Sequence, residues 1–385
     1  MNKKLISFLS ILSLSIALPL IPANAAIKSG GACSKAGIKS KSSSKTYTCI
    51  KSGKKLVWDK GVANAASNPT TTATTVAATT TTVSSRYTAL WEKYSWVPPT
   101  SSSSVASAAT DKFKGYVAVT ITNDTVIKIA AQDGADQTLV GWVKDGATLV
   151  SKAFDYPKFS KPFLEVIGID RAWVEKTYIE NGYSDGEAKH RGTWFDVPNA
   201  PGFGGSTTNT YNSGSITRNN WLVNDKLGMM QMPGHEFFHT VQERTAGGVL
   251  TAADGSGIVP QWFWEGPATF IGLQTASYLG WASYITEGRQ MAVTRSNHPS
   301  TKSHLLSEAT KNTGSPDAID PYGIGAIATE LLVANVGMEK FVDVYTKLRE
   351  TMNFADSFKT ATGVELTDFY TMFEEARPDL GIPRS

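Results

Sequence analysis

The sequence predicts an α+β fold for residues 86–385, carried behind a small basic module and a Thr-rich linker. Three observations lead there. β-Branched runs separated by turn residues fill the first part of that region. A helix-forming stretch follows around residues 233–246. After Gly248, apolar residues recur at three- and four-residue spacing almost to the end. Strands first and helices afterwards, rather than alternating, make a segregated α+β domain of a mixed sheet half and an all-helical half.

Residues 1–25 have the order of an export signal: Lys3 and Lys4, an apolar run from Leu5 to Leu18, then Ala23-Asn24-Ala25 as a small-x-small cleavage site. Pro19 and Pro22 cut the run below the ~20 apolar residues that a membrane span requires. A mature chain starting near Ala26, secreted and outside the cytoplasm, is therefore expected. Residues 26–66 carry nine Lys and one Asp, against 26 Lys+Arg and 33 Asp+Glu in residues 86–385, so the two regions have opposite charge. Cys33 and Cys49 are the only cysteines. In an oxidising compartment they are expected to pair, closing a loop worth roughly 3 kcal/mol and stapling a short hairpin with a Lys-rich face. Such a face suits an anionic cell-envelope polymer or is simply a solvated stalk. Residues 67–85, almost all Thr, Ala, Val and Ser, cannot bury a core and read as a linker.

From Tyr87 onward the chain reads as folded. Residues 116–121, 126–129 and 139–143 are expected to be strands, divided by Asn123-Asp124 and Asp133-Gly134. The Ser-rich run 101–104 reads as a loop, 171–180 as a helix ending near Asn181-Gly182, and 193–197 as another strand. The Gly-rich stretch 201–215 lacks any phosphate-loop spacing. Helices are expected over 284–293, 323–336, 339–350, 355–362 and 366–376.

The chemistry concentrates in Gly234-His235-Glu236-Phe237-Phe238-His239, an H-E-x-x-H sequence. On a helix, positions i and i+4 share one face, so His235 and His239 can grip one metal ion while Glu236 reaches a water beside it. Pro233 reads as the first helical residue, Gly247-Gly248 as the stop, and Phe237 with Val241 as an inward apolar pair. A hydrolytic zinc site needs a third protein ligand and an open position. Glu265, in Trp262-Phe263-Trp264-Glu265-Gly266-Pro267-Ala268, is placed to supply it from the first turn of a second helix.

Taken together, residues 234–268 resemble the gluzincin metallopeptidases, in which H-E-x-x-H is followed after some 25 residues by a Glu-Gly-x-Ala sequence. The resemblance implies Zn2+ held by His235, His239 and Glu265, Glu236 as general base, and a two-lobed zincin-like domain. Thr269 departs from the acidic residue expected four positions after the third ligand. Gln242 and Thr245 exclude the metzincin pattern, and Asp320 near Tyr322-Gly323 only faintly suggests an aspzincin. Tyr322 is expected either to donate its hydroxyl to the oxyanion formed during attack or to pack at a helix start. The function implied is secreted, zinc-dependent hydrolysis of peptide bonds. The alternatives are a catalytically silent envelope-binding protein and a zinc hydrolase of a non-peptide amide. Expected partners are a peptide or protein substrate and an envelope polymer bound through residues 26–66, with no nucleic acid and no membrane span after signal cleavage.

Overall fold

A computed structural model describes residues 29–32, 36, 39–42, 45–60, 62–63, 87–120, 127–154, 163–193, 225–250, 258–310 and 319–385. The signal at 1–25, Cys33 with its expected pairing, the linker at 67–85, all but Thr193 of the strand expected over 193–197, and the loop 201–215 lie outside these residues; Thr193 itself caps a helix. The chain divides into two compact units, residues 1–80 and 81–385.

In the first unit, β1 (Lys39–Ser42), β2 (Lys45–Ser52), β3 (Lys55–Trp58) and β4 (Val62–Ala63) form an antiparallel sheet with β2 central. Gly53, at a φ of 61°, makes the tight turn that registers Cys49 opposite Trp58. Cys49 is buried, while Lys51, Lys54, Lys55 and Lys60 are exposed.

The second unit is more helical than the sequence suggested. Helix α1 (Ala89–Lys93) precedes α2 (Ser102–Thr120), so residues 116–120 are helical and not a strand. The buried set Val105, Ala109, Phe113 and Val117 repeats every four residues, a helical period that a six-residue window conceals. The Ser run is the start of α2 and not a loop, with the Ser101 hydroxyl accepting from Ser104 N at 3.2 Å. Likewise 139–143 belongs to α3 (Gln137–Ala153), capped by Asp136 and burying Leu139, Trp142, Val143, Gly146, Ala147 and Val150. Tertiary burial on one face overrides the β propensity of these residues. Only β5 (Ile127–Ala131) and β6 (Phe163–Ile167) remain as strands among the described residues of this unit, paired in parallel. The coarse α+β class stands, and the larger mixed sheet is replaced by helices.

Helices α4 (Arg171–Glu180) and α5 (Asp185–Gly192) follow, the first as expected. Helix α6 (Lys226–Thr245) carries the H-E-x-x-H sequence and starts seven residues earlier than Pro233 implied, with Asp225 as its cap. Pro233 lies inside it. Phe237 and Phe238 anchor the helix on Phe163 and Phe154, with ring centroids 4.6 and 5.0 Å apart. Helix α7 (Gln261–Tyr278) likewise begins ahead of Pro267, which is interior. After a π-turn (Tyr284–Gly288) come α8 (Arg289–Ser296), α9 (Pro299–Lys302), α10 (Pro321–Val336), α11 (Met338–Thr351), α12 (Phe354–Thr362) and α13 (Leu366–Ala376).

Two glycine contacts set how α7 meets its neighbours. A Cβ on Gly266 would stand 2.3 Å from the Gly325 carbonyl carbon, so α7 and α10 touch backbone to backbone. A Cβ on Gly272 would stand 2.4 Å from Gln231 O, fixing α7 against α6 in the same way. Together they bring one end of α10, the middle of α6 and the first turns of α7 to one point. Among the described residues, no helix is long and apolar enough to cross a membrane.

Candidate metal centre

At that point the structure brings His235, His239 and Glu265 together. The two Nε2 atoms are 3.1 Å apart, and Glu265 Oε2 is 3.3 Å from His235 Nε2 and 3.2 Å from His239 Nε2. All three side chains are buried or nearly so. Among the described residues this is the one cluster of His, Cys, Asp or Glu suited to a metal ion. Zinc in a tetrahedral shell with bonds of about 2.0–2.1 Å spaces its ligand atoms about 3.3–3.4 Å apart. The donor separations here are within a few tenths of an ångström of that.

The hydrogen bonds behind the rings explain why the Nε2 atoms face inward. Gln242 Oε1 lies 2.8 Å from His239 Nδ1, and Thr269 Oγ1 lies 3.4 Å from His235 Nδ1. The Thr269 hydroxyl donates its hydrogen to Glu265 O at 2.9 Å, so toward His235 it can only accept. Both Nδ1 atoms are thereby donors. Each neutral ring then turns a lone pair toward the other ring and toward a carboxylate. Glu265 Oε2 is buried with no well-aligned hydrogen bond. Three inward-facing acceptors need a cation or a shared proton between them, and the donor set fits a divalent ion of borderline softness.

The electrostatics agree. Burial pushes His235 down to about 4 despite Glu265 nearby, so that ring is neutral at ordinary pH. Burial acts the same way on His239, but the carboxylates of Glu265 and Glu236 outweigh it and raise its pKa. Burial raises Glu265, yet the two rings more than reverse this, and its carboxyl titrates far below the usual range. The centre therefore holds an ionised carboxylate beside one neutral ring and one that readily takes a proton.

Glu236 is buried, with Oε1 3.7 Å from His235 Nε2, beside the donor triangle and not a member of it. Tyr322, in the first turn of α10, stacks on His235 at 5.9 Å and 19°, and its hydroxyl bonds the Glu265 carboxyl. Burial and the nearby Glu265 and Glu236 carboxylates push that hydroxyl far above the ordinary tyrosine range. Arg295, paired with Asp320 at 2.7 Å, lies 4.6 Å from the Tyr322 ring centre. Trp264 covers His239 face to face at 4.4 Å and 20°. Of the other histidines, His190 and His298 are exposed and His304 is half-buried, all outside this cluster.

Sequence reasoning passed over Gln242 and Tyr345. Gln242 stands three residues after His239, on the same helical face, and that spacing was the available signal. Thr269, read as a departure from the expected pattern, is the residue that meets His235. The chain matches no known protein family, no characterised protein and no solved structure.

Proposed function

We propose that this chain is an exported zinc-dependent hydrolase of peptide bonds, of the gluzincin type. One observation carries the reading: three buried donor atoms, His235 Nε2, His239 Nε2 and Glu265 Oε2, converge on one point at 3.1–3.3 Å from each other, and a separate buried carboxylate, Glu236, stands next to the triangle. His235, His239 and Glu265 would hold the ion, which when bound supplies Lewis acidity toward a carbonyl and activates water.

The remaining roles fall to this chain's own side chains. Glu236, within reach of the triangle, accepts a proton from the attacking water and returns it to the leaving nitrogen. Water thus adds across the C–N bond, its oxygen going to the carbonyl carbon. The Tyr322 hydroxyl, kept protonated by its raised pKa, is a donor for the developing oxyanion once it turns from Glu265. The exposed lysines of the first unit suit an anionic envelope polymer, in keeping with export.

Glu236→Gln tests the reading. The amide keeps size and hydrogen bonding but is no base, and position 236 lies outside the donor set. Zinc content should stay at the wild-type level, while chelator-sensitive casein hydrolysis falls at least ~100-fold. A variant as active as the wild type would remove Glu236 as the base and with it the mechanism.

A further inference from the structure

The chain Phe263–Tyr345–Gln242–His239 links a helix defect to the candidate metal centre. Pro267 has no N–H, so the carbonyl four residues earlier in α7, Phe263 O, loses its helical partner. Tyr345, on α11, donates its hydroxyl to that carbonyl at 3.1 Å. Having given its hydrogen away, the Tyr345 oxygen accepts from Gln242 Nε2 at 2.9 Å. Gln242 Nε2 also donates to Trp264 O at 2.9 Å. A backbone carbonyl only accepts, so the amide end facing Trp264 is the NH2 and the end facing His239 is the oxygen. His239 Nδ1, at 2.8 Å from that oxygen, must therefore carry a hydrogen. Gln242 and Tyr345 are fully buried, so water does not compete for these bonds.

We propose that Gln242 is a positioning residue that fixes His239 as its Nδ1–H tautomer, and that Tyr345, moored on the carbonyl freed by Pro267, fixes Gln242. On this account α11, more than a hundred residues further along the chain, sets the affinity of the centre for its ion. The inference rests on the metal-site reading above for its consequence, but the tautomer itself is a property of the metal-free chain.

The experiment uses the full chain, stripped of metal, in alkaline buffer where the rings are neutral. Long-range nitrogen–proton NMR on labelled histidine should show His239 protonated on Nδ1 and bare on Nε2. Gln242→Leu should move it to the Nε2–H form and weaken Zn2+ binding, measured against a competing chelator, about 10–100-fold. Gln242→Glu keeps an acceptor and should restore the Nδ1–H form. Tyr345→Phe should weaken Zn2+ binding about 10-fold with the fold intact, and it stands in for Gln242→Leu should that variant fail to fold. An Nε2–H His239 in the wild type overturns the proposal, as does wild-type Zn2+ affinity in Gln242→Leu. If the wild type takes up no Zn2+ yet shows the Nδ1–H form, the hydrolase reading fails while the role of Gln242 stands.

Discussion

Replacing Glu265 by Gln should act on the protein in opposite directions with and without added Zn2+. In the metal-free chain at alkaline pH, the carboxylate oxygen faces two nitrogen lone pairs at 3.2 and 3.3 Å. An amide turned with its NH2 inward can donate one hydrogen to each, at about 1 kcal/mol per bond made. The metal-free variant should therefore melt no lower than the metal-free wild type. With ion the order reverses. At a free Zn2+ concentration 100 times the wild-type dissociation constant, binding adds about 2.7 kcal/mol. For a domain this large that is a rise of roughly 5–10 °C in melting temperature. Losing the anionic ligand should weaken binding by about 100-fold or more. The same Zn2+ concentration then adds at most about 0.4 kcal/mol, a shift of about 1–2 °C. Thermal melts of both proteins, with chelator and with buffered Zn2+, read all four values. An equal Zn2+-induced rise in the two proteins would show that Glu265 is no ligand. A metal-free variant that melts far lower would show that the carboxylate has a structural role instead.

Three further predictions concern the centre and the helices around it. Because the His239 pKa is raised, its proton stabilises the metal-free fold below the ordinary value near 6.5, and that contribution is lost as pH rises through the raised value. The ion displaces that proton, so Zn2+ affinity measured by titration should rise about tenfold per pH unit up to the raised value and then level off, with His235 adding no slope until near its value of about 4. A flat profile across neutral pH would place the proton elsewhere. Gly266→Ala should cost about 3 kcal/mol or more in urea unfolding and lower Zn2+ affinity, because its Cβ would meet Gly325 backbone at 2.3 Å. Gly141→Ala in α3, with open space around its Cβ, should instead gain about 0.5–1 kcal/mol from helix propensity.

What the sequence disclosed here depended on the range over which each feature is encoded. The donor pair His235 and His239 is a four-residue spacing, and the helices after Gly248 repeat that spacing for turn after turn, so both could be read directly. Residues 116–121 and 139–143 misled because β-branched side chains in a short window look alike in a strand and in a buried helix. Only the longer repeats, Val105 to Val117 and Leu139 to Val150, separate the two. Pro233 and Pro267 misled in another way. Proline commonly opens a helix, yet each is interior here, Pro233 facing Gly146 of α3 and Pro267 leaving Phe263 O, four residues earlier, without its helical bond.

That lost bond shows why the supporting groups escaped a linear reading. An interior proline costs a helix about 3 kcal/mol, partly through the orphaned carbonyl. The Tyr345 hydroxyl offsets that loss across the α7–α11 contact, and in doing so becomes an acceptor aimed at Gln242. The three candidate donors are encoded locally, His235 and His239 one turn apart on α6 and Glu265 near the start of α7. Their orientation is encoded in a partner that only the packed core supplies, since the aromatic cluster of Phe263, Phe341 and Tyr345 must first close. A substitution in that cluster, far from any ligand, should then be felt at the centre as weaker ion binding before it is felt as unfolding.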